Sequence, residues 1–256
     1  MLPLPARPPT TPSVVSLRHD PSDVDSLASY WTFYWAVASA QLTHWLPRKP
    51  AHLLDISGLR ARCAPQAASA GHTVIEVLSR PPEDRPQLGI HPVVGDAGSL
   101  KFLADGCVDA VIAEDRVLSR HLVTEATVAE IARVLRPGGR VLLCVDSLML
   151  GMAILAEQNC WAQLSDVPKA EVVLVPWPDG TITRCFWSEQ LRELLTDAGL
   201  EVEWIKPRTA LSPSTVEHIL AGDPQGLSGL VRTEMDAPIG DESVGIHLVA
   251  SAHRPM

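Results

Sequence analysis

From His52 onward, short apolar runs alternate with helical stretches, and this alternation constrains the fold more than any other feature. The runs "AHLLDI" (51–56), "HTVIEVL" (72–78), "HPVVGDA" (91–97), "CVDAVIA" (107–113) and "RVLLCVD" (140–146) read as strands. Between the first two, "RARCAPQAASA" (60–70) reads as a helix, with Pro65 tolerated in its first turns. "LVTEATVAEIARVLR" (122–136) is a clear amphipathic helix closed by Pro137-Gly138-Gly139. Strands separated by helices need crossover connections, so the sheet is expected to be mainly parallel and covered on both faces. Two terminal strands, "EVEWIKP" (201–207) and "SVGIHLVASA" (243–252), complete the pattern. The expected fold class is α/β: a three-layer sandwich around a doubly wound, seven-stranded sheet.

"AEVVLVPW" and "TITRCFW" flank Pro178-Asp179-Gly180, which is turn chemistry, so a hairpin insertion is expected near 170–187. "SEQLRELLTDAGL" reads as a helix with Ser188 as its N-cap and Gly199 as its stop. Residues 212–241 read as a helix plus a Gly/Pro-punctuated segment without a clear role.

Ahead of the α/β domain (51–256), residues 1–21 form a proline-rich tail expected to be flexible. Residues 22–50 hold a helix with Ser22 as N-cap. Its apolar positions, among them Tyr30, Trp31, Tyr34, Trp35, Leu42 and Trp45, recur at helical spacing. The helix reads as a core-packing element and as an aromatic lid over a pocket. Although 26–47 carries no formal charge, Ser29, Thr32, Ser39, Gln41, Thr43 and His44 interrupt it, so no membrane span is expected. The amino terminus lacks the apolar stretch of a secretory signal, and a cytoplasmic protein is expected.

A net charge of −9 argues against nucleic acid as a partner, which needs a concentrated basic surface. The one dense basic stretch, Arg133–Arg140, coincides with a helix end, where cations suit the macrodipole. Five scattered cysteines without C-x-x-C, and nine dispersed histidines, suggest neither a disulfide framework nor a metal site.

The order of elements over 51–252 resembles the class I S-adenosylmethionine-dependent methyltransferases, whose sheet is Rossmann-like. "GDAGSLKFLADGCVDAVIA", "AEIARVLRPGGRVLL" and "FWSEQLRELLTDAGLEVEWI" carry the resemblance. It implies S-adenosylmethionine as cofactor. Asp55 would be the acid that opens the cofactor loop, with Ser57 and Gly58 following it, and Asp96 and Ala97 would face the adenine. Beyond the fourth strand, Glu114 would join the cofactor site. The family's three loop glycines fall here on Ser57, Leu59 and Ala61, while Gly58 stands where glycine is not the requirement. The acid that holds the ribose falls on Leu78, and a two-residue slip would bring Glu76 there instead.

Losing the ribose contact costs ~1.5–3 kcal/mol. A β-carbon forced into a glycine turn adds ~1–3 kcal/mol if the backbone keeps its usual path. Together these remove about two to four decades of affinity. Other nucleotide fingerprints, G-x-G-x-x-G and the P-loop, are absent.

Methyl transfer from a sulfonium relies on alignment, with a base needed only where the acceptor loses a proton. His121, just past the fourth strand, and Asp146, at the end of the fifth, are the catalytic candidates. The expected function is methylation of a small molecule. The alternative is a methyltransferase-like protein without activity, acting as a ligand-binding, scaffold or regulatory partner.

Overall fold

The structure, a computed structural model, describes residues 27–58, 61–82, 85, 87–177, 179–238 and 245–256. The proline-rich tail and the Ser22 cap lie outside the described residues. Helix α1 (Ala28–Trp45) leads into β1 (His52–Asp55), α2 (Cys63–Ser69), β2 (Thr73–Leu78), β3 (Ile90–Val94) and β4 (Val108–Ala113). Next come α3 (Val117–Arg120), α4 (Thr124–Val134) and β5 (Leu135–Ser147). Then follow α5 (Leu148–Glu157), α6 (Trp161–Asp166), β6 (Val173–Pro176), β7 (Ile182–Phe186) and α7 (Ser188–Asp197). The chain closes with β8 (Glu201–Pro207), α8 (Pro213–Gly222), α9 (Leu227–Asp236) and β9 (His247–His253).

Five strands pair in parallel in the order β3-β2-β1-β4-β5. Strand β9 runs antiparallel along β5, and β8 pairs antiparallel with β9, which gives the expected seven. The β6–β7 hairpin adds two more at a corner. Asp146 pairs with His247 on one edge of β5 and with Cys185 on the other. The hairpin therefore continues the β4 edge beyond the point where β4 stops. Its turn closes as the sequence predicts, with Trp177 donating to the Thr181 carbonyl at 2.8 Å and Gly180 at φ +83°.

One face of the sheet packs Leu54, Val111 and Leu143 against Val128 and Ile131 of α4 and Leu191 and Leu195 of α7. The other packs Leu53, Ile112 and Leu142 against Ala64 and Ala67 of α2 and Leu42 and Trp45 of α1. The Pro-Gly-Gly segment is not a turn outside the strand but part of β5, where the register with β4 shifts between Val108 and Ala110. A β-carbon on Gly139 would lie 2.8 Å from the Arg136 carbonyl, so only glycine fits there.

Residues 213–236 acquire a role that the sequence did not suggest. Val216 and Leu220 of α8, with Leu230 and Val231 of α9, pack on Tyr30, Trp31, Phe33 and Tyr34 of α1. The aromatic helix is thus itself roofed by two helices. In the basic stretch, Arg133 pairs with Glu130 and Asp105, Arg136 with Asp109, and Arg140 with Glu203.

Candidate functional site

At the carboxyl ends of β1 to β4 the chain opens a crevice of about 460 Å³. Open α/β sheets bind ligands at this edge, because strand order reverses there and the following turns diverge. The turn after β1 is pinned to β4. Ile56 donates to the Ile112 carbonyl at 2.9 Å, and the Glu114 backbone N–H donates to Ser57 Oγ at 2.8 Å. Ser57 donates its own N–H to Asp55 Oδ1 at 2.9 Å. Gly58 has φ +81°, with nothing within 4 Å of where a β-carbon would sit.

This corrects the expectation for Gly58, which does occupy a position that favours glycine. The non-glycine residues at positive φ do not include Ser57 or Ala61, although Arg62, at φ 52°, is among them. Among the described residues of the turn, the left-handed positions are Gly58 and Arg62. Leu59 lies outside the described residues.

Asp55 is buried, and desolvation pushes its carboxyl up to about 7 against the hydrogen bonds from Ser57, with the Glu76 charge adding to the rise. Glu76 stands opposite Asp55 in the β1–β2 register and is itself buried, which raises its pKa. The β2 wall of the crevice is made by Val77 and Ser79, and Leu78 is buried.

Asp96, Ala97 and His121 also line the crevice. Asp96 Oδ1 accepts the Gly98 N–H at 2.8 Å. The His121 ring lies over Gly98 so closely that a β-carbon there would meet Nδ1 at 2.5 Å. Burial lowers the His121 pKa, with the nearby Asp96 charge opposing the shift.

A second cavity of about 380 Å³ lies between α1 and the start of α2, lined by Trp35, Leu42, Arg62, Cys63, Gln66 and Glu114. Glu114 is 3% exposed and pairs with Arg208, whose side chain has no exposure and also donates to Gln41 Oε1. Tyr34 faces the Arg208 guanidinium at 5.8 Å. Alongside, Arg116 donates to Asp146 Oδ1 at 3.2 Å, and His247 Nε2 lies 3.4 Å from the same oxygen. Burial, with Arg116 and Arg208 nearby, holds His247 well below the usual imidazole range, so it is neutral. Asp115 and Arg116 both adopt left-handed backbone, at φ 52° and 56°. Such strain persists only where packing over-determines it, and the Arg116–Asp146 pair does so.

The two catalytic candidates are not brought together: His121 lines the crevice with Asp96, and Asp146 is sealed against Arg116 and His247. Sequence reasoning missed Arg208, Gln41 and His247. They come from separate elements, and no local spacing marks them. Five buried polar atoms of this cluster lack a hydrogen-bond partner: Glu114 Oε1, Asp146 Oδ2, Arg208 Nε and both His247 ring nitrogens.

Among the described residues, no group of three or more His, Cys, Asp or Glu side chains could hold a metal ion. No helix among them is long and apolar enough to cross a membrane. The described cysteines are free, and burial raises the thiols of Cys63, Cys144 and Cys185.

Residues 54–143 match the family model described as a methyltransferase domain. The sheet order is the Rossmann-like fold that the class I S-adenosylmethionine-dependent methyltransferases share. Among solved structures, the chain is similar to the 1,6-didemethyltoxoflavin-N1-methyltransferase of Burkholderia thailandensis with bound 1,6-didemethyltoxoflavin and S-adenosylhomocysteine. Identity is 22%, with a TM-score of 0.57 over 94% of this chain and 85% of that one. A methyltransferase from Methanosarcina mazei is 18% identical, with a TM-score of 0.54 over 84% and 97%. The [4+2]-cyclase SpnF is also 18% identical, with a TM-score of 0.51 over 86% and 81%. No curated protein matches the chain by sequence.

Proposed function

We propose that the protein is an S-adenosylmethionine-dependent methyltransferase of a small molecule. The single observation that carries this reading is the crevice at the carboxyl ends of β1–β4, walled by the turn at Ser57–Gly58 on one side and by Asp96 and Ala97 on the other. Its volume suits a cofactor of drug-like size. The cofactor supplies an electrophilic methyl group on a sulfonium.

Asp96 keeps Oδ2 for an adenine amino group while Oδ1 holds the Gly98 turn. Ser79 offers a hydroxyl on the β2 side, where the family carries a carboxylate for the ribose. Glu114 Oε1, an orphaned acceptor in the wall of the neighbouring cavity, suits an α-ammonium. Helix α1 walls that side, and proximity and alignment then carry the rate.

The affinity expected from this geometry is higher than the loop sequence suggests. Because Ser57 and Ala61 stay out of left-handed backbone, the strain of ~1–3 kcal/mol does not arise at those two slots. The missing ribose carboxylate remains, at ~1.5–3 kcal/mol, or about one to two decades. Titration calorimetry with S-adenosylhomocysteine should give a dissociation constant in the tens to hundreds of micromolar, weakened at least tenfold by Asp96→Ala. No heat up to millimolar ligand would sink the reading.

A second reading has its own observation in favour. The strand-two position that holds the ribose in the family is Leu78, buried in the core, as in a fold whose old site is idle. Transfer of a labelled methyl group to any acceptor would end that alternative.

A further inference from the structure

Strand β2 ends at Leu78, and the two residues after it set what that end of the crevice can hold. Leu78 is buried, so no carboxylate stands where the family grips the ribose hydroxyls. Ser79 and Arg80 leave the strand through a bend and are both exposed. Ser79 lines the crevice. Among the described residues, nothing bonds its hydroxyl or the Arg80 guanidinium.

The exchange of a carboxylate for a hydroxyl and a guanidinium inverts the chemistry of the position. A carboxylate accepts from ribose hydroxyls and repels a phosphate. A serine hydroxyl and an arginine both donate to phosphate oxygens, the guanidinium through two N–H groups at once. In nucleotide sites across the ends of parallel strands, the same exchange separates a free ribose from a phosphorylated one.

The described groups around the crevice are compatible with an added negative charge. Arg120 also lines it, and its Nη2 donates to Asp115 Oδ2 at 3.2 Å, which leaves Nε and Nη1 for a ligand. Asp115 is paired by the same bond. Burial raises the Asp55 carboxyl to about 7 and raises Glu76 as well, so both hold a proton more readily than exposed acids do. Asp96 Oδ1 is engaged by the Gly98 N–H, and its second oxygen is the one left for the adenine.

We propose that Ser79 and Arg80 form a phosphate subsite, and that an adenosine phosphorylated on a ribose hydroxyl binds the crevice in competition with S-adenosylmethionine. The place given to the ribose rests on the methyltransferase reading; the phosphate chemistry rests on the two residues that follow β2.

The test titrates the full chain at pH 7 by calorimetry with adenosine, its 2′-, 3′- and 5′-monophosphates, and S-adenosylhomocysteine. The 2′- or the 3′-phosphate is expected to bind about ten- to a hundredfold tighter than adenosine, the worth of one charge-assisted contact. The 5′-phosphate should not share that gain, and the tighter isomer should displace S-adenosylhomocysteine. Which isomer wins tells a 2′-phosphorylated ligand from a 3′-phosphorylated one. Arg80→Gln should remove most of the gain, Arg80→Lys should keep part of it, and neither should move adenosine by more than twofold. Ser79→Glu, which returns a carboxylate to the β2 end, should reverse the preference by weakening the ribose phosphates and tightening S-adenosylhomocysteine. Both positions are exposed, so these changes spare the core.

Equal affinity for adenosine and its ribose phosphates, or a gain that survives both Arg80→Gln and Ser79→Glu, would overturn the proposal. If S-adenosylhomocysteine still bound in that case, the methyltransferase reading would stand without it. Tight, Arg80-dependent binding of a ribose phosphate in a protein that ignores S-adenosylhomocysteine would uphold the subsite and remove that reading instead.

Discussion

Arg208 and Glu114 show why the interior is sensitive to single changes. Both are buried, so removing one partner leaves an uncompensated charge in low dielectric, at a cost of ~3–5 kcal/mol. Arg208→Met alone should lower the urea midpoint accordingly. The double variant Glu114→Gln with Arg208→Met should recover most of that loss, because it removes the stranded carboxylate; additive losses would contradict the pairing.

Asp55 makes a prediction of opposite sign. Its folded pKa of about 7 lies above that of an unfolded carboxyl near 4, so the native state binds the extra proton between those values. Stability from this group is present at acid pH and is lost as pH rises from about 4 through 7. Asp55→Asn should therefore stabilise the protein by ~2–4 kcal/mol at pH 8, with the gain fading toward pH 4 in denaturant titrations. At Gly58 a β-carbon meets nothing, so Gly58→Ala should cost only the left-handed backbone penalty, ~1–2 kcal/mol. Asp55, Asp96 and Glu114 were legible as site candidates because chain order near a strand end places them. Arg208 and Gln41 were not, since 167 residues separate them and only the fold brings them together.

Helix α1 was legible as an element from its aromatic spacing, but its environment was not. Tyr30 and Phe33 have no exposure, and the helix is held between the sheet and the α8–α9 pair. The expected lid is thus mainly packing, with Trp35 and Tyr30 as its cavity-facing aromatics. Phe33→Ala should cost ~3–5 kcal/mol in chemical unfolding. The aromatic cluster is distinct from the two clusters that flank the sheet, so the first half of α1 with α8 and α9 is expected to open as one unit. Native-state hydrogen exchange should show their amides exchanging together and faster than those of β5; protection equal to β5 would contradict this.

Across the whole molecule, occupation of the crevice should register as global stability. At a hundred times its dissociation constant, S-adenosylhomocysteine should stabilise the native state by ~2.7 kcal/mol, or ~5–10 °C in Tm. Thermal scans with and without the ligand check this. The sequence by itself determined the order of the strands and of the helices α1, α2, α4, α7 and α8, the parallel sheet, the hairpin and the acids at the strand ends, while α5 and α6 went unread. Those properties follow from hydrophobic period and turn chemistry, which act over a few residues. Tertiary structure alone decided that Gly58 adopts left-handed backbone in the turn after β1, that β5 runs through Pro-Gly-Gly, and that residues 213–236 roof the aromatic helix. It also decided that Glu114, Arg116, Asp146, Arg208 and His247 converge in one buried cluster. Burial and charge pairing are set by distances through space between remote segments, and no local pattern encodes those distances.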